Sequence, residues 1–236
     1  MRKVMTYTVI AGCVRTGQLG IGIATYSLAV GGYCPAIRGG LGVVSTQAFV
    51  NLKLGNLALR LLDLGYSPDK VMSELAEDDP DFSYRQVGIV NAENAISVHT
   101  GSNTRPWAGH LTGDDYIVMG NVLAGEEVVQ AMAETFEKKE QLDLDERLLG
   151  TLEAGRDAGG QATADGTHLN ERSAAIIIHG HRDFGHIDLR VDASEAAVDE
   201  LRRVHGIYKP FIPYYEMRHQ HPQDAPAQDV WEQNNL

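Results

Sequence analysis

The spacing of apolar positions changes several times along the chain, and each change marks an element. Thr6–Ala11 (TYTVIA) and Leu19–Thr25 (LGIGIAT) are short runs rich in β-branched residues, and the stretch between them predicts a hairpin. In the second run Ile21 and Ile23 alternate with Gly20 and Gly22. One face therefore carries bulk, and the other is bare enough for another backbone or a ligand to approach. A turn-rich stretch with Gly31-Gly32, Pro35 and Gly39-Gly40 leads to a further strand, Gly42–Ser45. Ser45 and Thr46 stand where an N-cap belongs, ahead of a predicted helix, Gln47–Leu64. That helix is apolar on most sides and is expected between layers. Gly65 closes it, and Ser67-Pro68-Asp69 opens a second helix with a cap followed by proline at the first helical position.

Gln86–Asn91 and Ala95–Thr100 flank Ala92-Glu93-Asn94 as a second hairpin, and Tyr116–Asn121 predicts another strand. Gly125–Lys139 places Val128, Val129, Met132, Ala133 and Phe136 on one stripe, the pattern of an amphipathic helix. Asp143–Ala158 predicts a further helix, and Gly159–Asn170 a mobile polar loop. Ser173–His179 and Ile187–Val191 read as two late strands, and Ser194–Val204 as a last helix capped by Ser194. Strands come as antiparallel hairpins and helices in pairs, so alternating βαβ order is excluded. The expected class is α+β: a four-layer αββα sandwich of two antiparallel sheets flanked by helix pairs. Residues 1–204 read as a single domain. Residues 205–236, rich in Pro, Gln, His and Asp, read as a tail that wraps over the body or a partner subunit, or is partly disordered.

Composition narrows the function classes. With 236 residues, 43% of them hydrophobic, the chain can bury a core without disulfides or a structural metal. Its net charge of −12, from 32 acidic and 20 basic residues, argues against a phosphate-backbone partner. Cys13 and Cys34 form neither a CxxC nor a ligand cluster. No apolar run reaches the roughly 20 residues needed to span a bilayer. Ile10-Ala11-Gly12-Cys13 looks like a lipoprotein cleavage box, but the stretch before it is short and broken by Thr6, Tyr7 and Thr8, which favours a strand. The expectation is a cytoplasmic protein with neither nucleic acid nor membrane as partner.

Four constellations carry candidate chemistry. Gly39–Gly42 precedes a predicted helix, but Val43-Val44-Ser45-Thr46 follows without the lysine of a phosphate loop, so tight packing is the better reading. His179-Gly180-His181, with His186 nearby, has a spacing that suits a metal, yet the segment also reads as a solvated hairpin turn. No G-x-S-x-G elbow exists, which leaves a serine triad without a signature. Thr6 is the fourth. A threonine becomes a nucleophile when it is the first residue, because its own α-amine can take the hydroxyl proton. Met5 directly precedes Thr6 and is a candidate start; loss of that methionine would expose Thr6 at the head of the first strand.

Several short motifs stand out along the chain, among them Met5-Thr6-Tyr7-Thr8-Val9, Thr16-Gly17-Gln18-Leu19-Gly20 and Gly42-Val43-Val44-Ser45-Thr46-Gln47-Ala48. Arg85-Gln86-Val87-Gly88, His99-Thr100-Gly101, Trp107-Ala108-Gly109-His110, Gly120-Asn121-Val122-Leu123, Arg172-Ser173-Ala174-Ala175 and Asp188-Leu189-Arg190-Val191-Asp192 follow. In their order they resemble a known family, the bacterial proteins of unknown function grouped as DUF1028, which are assigned by fold to the N-terminal-nucleophile (Ntn) hydrolase superfamily. The resemblance implies an αββα sandwich with Thr6 as nucleophile. It marks Ser45, Thr46 and Asn121 as further catalytic candidates, and Ser27, Gln47, His99 and Trp107 as substrate-binding candidates. Ser27 falls near where some relatives in the superfamily hold a basic partner, and no lysine is there. Two further departures are the four residues ahead of Met5 and Gly159-Gly160-Gln161, where an acidic residue is common in the family.

The function expected from this is an Ntn-type amidohydrolase that cleaves a small amide or cyclic amide. Thr6 Oγ1 would attack, backbone N–H groups near Ser45–Gln47 would hold the oxyanion, and Asn121 would add a side-chain donor. No cofactor is expected, and a homodimer is, with the Tyr208–His221 tail across its interface. Two alternatives differ in class: a non-catalytic binding or assembly module on the same fold, and a metal-dependent hydrolase using His179, His181 and His186. A local cluster of Arg38, Arg85 or Arg105 would turn substrate preference toward anions.

Overall fold

The first two runs form the expected hairpin, β1 (Thr6–Gly12) and β2 (Leu19–Thr25), paired from Tyr7 opposite Ala24 to Gly12 opposite Leu19. The computed structural model describes residues 5–163, 165–180 and 185–236. It sets this hairpin at the centre of a six-stranded antiparallel sheet with β7 (Ala108–Thr112), β8 (Tyr116–Asn121), β11 (Ser173–His179) and β12 (Gly185–Val191), in the order β12-β11-β2-β1-β8-β7. A four-stranded sheet, β3 (Pro35–Arg38), β4 (Gly42–Ala48), β5 (Arg85–Asn91) and β6 (Ile96–Thr100), packs against it in chain order. The helices α1 (Leu52–Asp63) and α2 (Pro68–Asp78) cover the smaller sheet; α3 (Glu126–Lys138), α4 (Leu144–Asp157) and α5 (Ala197–Tyr208) cover the larger. This is the αββα sandwich.

Side-chain alternation builds three apolar layers. Ile10, Ile21, Ile23, Ile117 and Met119 meet Val43 and Val90 between the sheets. Their neighbours Tyr7, Val9, Val118 and Ile176 face the opposite way, onto Met132, Phe136, Leu148 and Leu152. Val44, Val87 and Ile89 pack on Leu54, Ala58 and Leu75. The bare face of β2 receives α4: a Cβ on Gly20 would stand 2.8 Å from a methyl of Leu148. Ile21 is fully buried between the sheets. Ile21→Ala is expected to cost about 2–5 kcal/mol, the range for truncating a buried aliphatic side chain, read from denaturant unfolding.

The expected helix Gln47–Leu64 is corrected in two respects. Ser45, Thr46 and Gln47 belong to β4, and the cap is Asn51, whose side chain accepts from the Lys53 N–H at 3.2 Å. The expected strand Gly42–Ser45 runs on to Ala48, with Ser45 and Gln47 continuing the inward positions of Val43. The helix itself is amphipathic: Leu54, Ala58 and Leu62 are buried, whereas Leu52 is 63% exposed. The second helix keeps its expected start, with Ser67 Oγ accepting from the Lys70 N–H at 3.3 Å and Pro68 next. Two strands carried no clear pattern: β3 is a short edge strand that tolerates Pro35, and β7 lies in Ala-Gly-His-Leu-Thr. The last helix begins at Ala197, three residues after Ser194, and runs on to Tyr208.

The stretch expected as a loop at Gly159–Asn170 contains a two-stranded ribbon, β9 (Gln161–Ala162) with β10 (His168–Leu169). Past residue 205 the chain forms α6 (Ile212–Gln220) and α7 (Gln228–Asn235). They close on each other through Tyr214 and Trp231, whose ring centroids lie 5.3 Å apart, and through Tyr214 OH, which donates to the Pro226 carbonyl at 3.0 Å.

One buried ionic cluster ties α4 to α5. Asp145 and His205 are 4% and 1% exposed. Asp145 Oδ2 lies 2.7 Å from His205 Nε2 and 2.9 Å from Lys209 Nζ, and Lys209 also lies 3.4 Å from Glu146. Asp145, Glu146 and His205 group as metal ligands would, and the Lys209 ammonium supplies the positive charge there. Among the described residues no helix is long and apolar enough to cross a membrane.

Candidate active site at the head of the first strand

Alternation on β1 sends Thr6 and Thr8 with Ile10 toward the facing sheet, so two hydroxyls enter the inter-sheet layer. On β4 the same rule sends Ser45 and Gln47 inward with Val43. Buried polar groups must find partners there, and they form a row across the two sheets. Thr8 Oγ1 and Ser45 Oγ donate to Gln47 Oε1 at 2.5 and 3.3 Å. Gln47 Nε2 donates to Gln86 Oε1 at 2.8 Å, and Asn121 Nδ2 donates to the same oxygen at 3.1 Å. The Gln86 amine contacts Thr100 Oγ1, the Gly109 carbonyl and the Gly120 carbonyl at 2.9–3.1 Å. Thr100 Oγ1 in turn lies 2.8 Å from His110 Nδ1, and burial lowers the pKa of that imidazole. Gln86 is fully buried. Gln86→Leu is expected to destabilise by at least ~2 kcal/mol, because Asn121, Gln47 and two carbonyls lose partners at once; thermal unfolding checks it.

Thr6 sits at the end of this row, 2% exposed and directly opposite Asn121. Its Oγ1 donates to Thr25 Oγ1 at 3.4 Å. Thr25 is a hub: it accepts the Ser27 N–H at 3.2 Å and donates to the carbonyl of Met5. Ser173, opposite Thr25, donates to the Ser27 carbonyl at 2.8 Å. Met5 itself is 1% exposed. Among the described residues, Asn121 Oδ1 and Gln161 Nε2 at this end have no hydrogen-bond partner, both on fully buried residues, and Glu171 Oε1 beside Gly160 has none either.

Thr6, Ser27, Ser45, Gln47 and Asn121 are therefore brought to one end of the sandwich. Three other candidates turn to other faces. Thr46 shares the face of Val44, toward α1 and α2. His99 stands opposite Val87 with its ring stacked on Phe82 at 4.3 Å, and burial lowers its pKa. Trp107 packs on the α3–α4 layer. The backbone expected to hold an oxyanion is engaged: β4 is paired on both sides, and the Thr46 N–H donates to the Cys34 carbonyl at 3.1 Å. The three arginines weighed for an anion are each engaged. Arg38 pairs with Asp63, Arg85 with Asp79, and Arg105 lies over the Phe49 ring.

Of the three histidines weighed for metal, His181 lies outside the described residues. His179 pairs with Leu19, at the opposite end of the sheet from Thr6, and His186 Nδ1 is 3.2 Å from Glu216. The residues that sequence reasoning passed over are Thr8, Thr25, Gln86, Thr100, His110 and Gln161. A polar residue recurring at inward positions of otherwise apolar strands was the available signal.

The model of the family of unknown function DUF1028 matches residues 6–201. The chain belongs to DUF1028. A crystal structure of a DUF1028 protein from Silicibacter pomeroyi is similar at 25% identity and a TM-score of 0.78, over 87% of this chain and 86% of that one. Two Anbu structures are more distant, each at 12% identity and a TM-score of 0.43. The one from Yersinia bercovieri, described as an ancestral beta-subunit, aligns over 85% of this chain and 93% of its own. The Gly-1 mutant from Hyphomicrobium sp. strain MC1 aligns over 86% and 94%. No curated protein matches the chain. The two flanked sheets of this DUF1028 protein form an αββα sandwich.

Proposed function

We propose that this DUF1028 protein is an amidohydrolase that cleaves a small amide or cyclic amide with Thr6 as an N-terminal nucleophile. The observation that supports it best is the setting of the Thr6 hydroxyl. It is buried at the head of a central strand, 3.4 Å from a threonine whose own hydroxyl is bonded to the peptide carbonyl just before it. In a chain that begins at Thr6, that carbonyl is gone and Thr25 Oγ1 is left to hold the new α-amine. The amine, with an ordinary pKa of about 7.7–8.0, takes the hydroxyl proton as Oγ1 attacks the amide carbon. The tetrahedral intermediate collapses, and the leaving nitrogen departs with the proton from the ammonium. Water then hydrolyses the ester on Thr6 by the same amine and releases the acid. While Met5 remains attached, the Thr6 nitrogen is an amide and has no basicity to offer.

The burial of Met5 favours a second reading for a chain that retains it: a non-catalytic binding module on the Ntn-like fold. Intact-mass measurement of native protein paired with turnover on a panel of small amides separates the two. A mass beginning at Thr6 with hydrolysis supports the enzyme. A mass beginning at Met1 without hydrolysis supports the module.

A further inference from the structure

The segment Gly159-Gly160-Gln161 has no part in the chemistry so far, yet the fold goes to some length to bring Gln161 to the head of β1. Both glycines have positive φ, +113° and +52°, and a Cβ on Gly160 would stand 2.5 Å from Glu171 Oε1. The backbone then bonds to the chain just beyond β8: the Ala124 N–H donates to the Gly160 carbonyl, and the Ala162 N–H to the Val122 carbonyl. Gln161 ends up fully buried, with Oε1 held by the Tyr26 N–H at 2.6 Å. Tyr26 follows Thr25, the residue that contacts both Thr6 and Met5.

Fixing Oε1 fixes the amide, and its Nε2 is left without a partner. Across the same strand end, Asn121 is fixed the other way round. Its Nδ2 donates to Gln86 and its Oδ1 has no partner. A buried polar atom without a partner costs about 1–3 kcal/mol, so an orphan donor and an orphan acceptor at the strand end that carries Thr6 call for a ligand that supplies the converse pair.

We infer that Gln161 and Asn121 form an amide clamp: Gln161 Nε2 donates to the substrate carbonyl, and Asn121 Oδ1 accepts the substrate N–H. The inference rests on the N-terminal-nucleophile reading, because the space for the ligand is the space Met5 holds. It narrows the substrate class to amides that present C=O and N–H along one edge, namely lactams, imides and unsubstituted carboxamides. It also changes the role of Asn121, which meets the substrate as an acceptor; the donor to a developing oxyanion is Gln161.

The test uses chain 6–236, which retains every described element, with the full chain as control. The probes are 2-pyrrolidone, which has both groups, and N-methyl-2-pyrrolidone, which lacks the N–H. Ligand-observed NMR titration is expected to show at least ~10-fold tighter binding of 2-pyrrolidone to chain 6–236 and none to the full chain. Asn121→Leu is expected to erase that preference and Asn121→Asp to keep it. Gln161→Leu is expected to weaken both probes about tenfold, with circular dichroism checking that each variant is folded. Equal binding of the two probes overturns the clamp, as does a preference that survives Asn121→Leu or an absence of binding by 2-pyrrolidone. Thr6→Ala in the same chain separates the two ideas. Binding with the N–H preference but no hydrolysis in the parent chain sinks only the hydrolase. Thr6-dependent hydrolysis without the preference sinks only the clamp.

Discussion

A chain released before Thr6 is expected to hydrolyse small amides at least ~10³-fold faster than the same protein carrying residues 1–5, and Thr6→Ala is expected to abolish the gain. The magnitude follows from what each form lacks. With Met5 attached, the carbonyl that Thr25 holds blocks the space beside the hydroxyl, and no free amine is present. With alanine at position 6 the amine remains and the attacking oxygen is lost, which in covalent catalysis removes most of the rate. The rate should rise with pH through about 7.7–8.0, because the amine acts as a base only when unprotonated. Turnover of a lactam panel by the three forms, at several pH values, checks this. Equal rates with and without residues 1–5 would remove Thr6 from the mechanism.

The second large effect concerns stability. Asp145→Ala is expected to cost about 2–3 kcal/mol at pH 7, because it removes the nearest carboxylate from the buried His205 imidazole and from the Lys209 ammonium, leaving them Glu146 at 3.9 and 3.4 Å. In a chain of this size that is a fall in Tm of several degrees. Burial works against ionising Asp145, but the hydrogen bonds and charges of His205 and Lys209 outweigh it and hold the carboxyl well below its usual range. A group whose pKa is lowered by folding stabilises the fold above its unfolded value, about 3.9, and loses that contribution as pH falls below it. The parent protein should therefore weaken below about pH 4, and the gap to Asp145→Ala should narrow there. Denaturant melts at pH 7 and pH 3 measure both.

Hairpins and helix pairs were legible in the sequence because their signals are local. The alternation in β2, the Ser67-Pro68 start and the stripe on α3 each sit within a dozen residues, and together they imply the sandwich. The boundary at β4 and α1 was not legible. A buried strand and a helix both read as apolar, and only the facing sheet decides that Ser45 and Gln47 point inward. The candidate site divides in the same way. Thr6 and Asn121 lie in motifs, and register brings them together. Thr46 and His99 lie in motifs too, but strand parity turns them to the other face, and parity depends on where each strand begins. Gln161 was visible only as a departure from the family pattern. Its position depends on two left-handed glycines and an N–H of Tyr26, a partner 135 positions away.

β1 lies between β2 and β8, with three strands of the larger sheet on one side and two on the other. Its amides therefore exchange with solvent only when the whole molecule opens, and the position of Thr6 is as rigid as the protein is stable. Gln161 hangs from a two-residue ribbon at the rim. A descendant of this chain has little freedom to move Thr6 Oγ1, but it can exchange the group proposed to meet the substrate by altering a few residues around Gly160. Change in what the protein acts on should thus gather in that ribbon, while the chemistry at the head of β1 stays put.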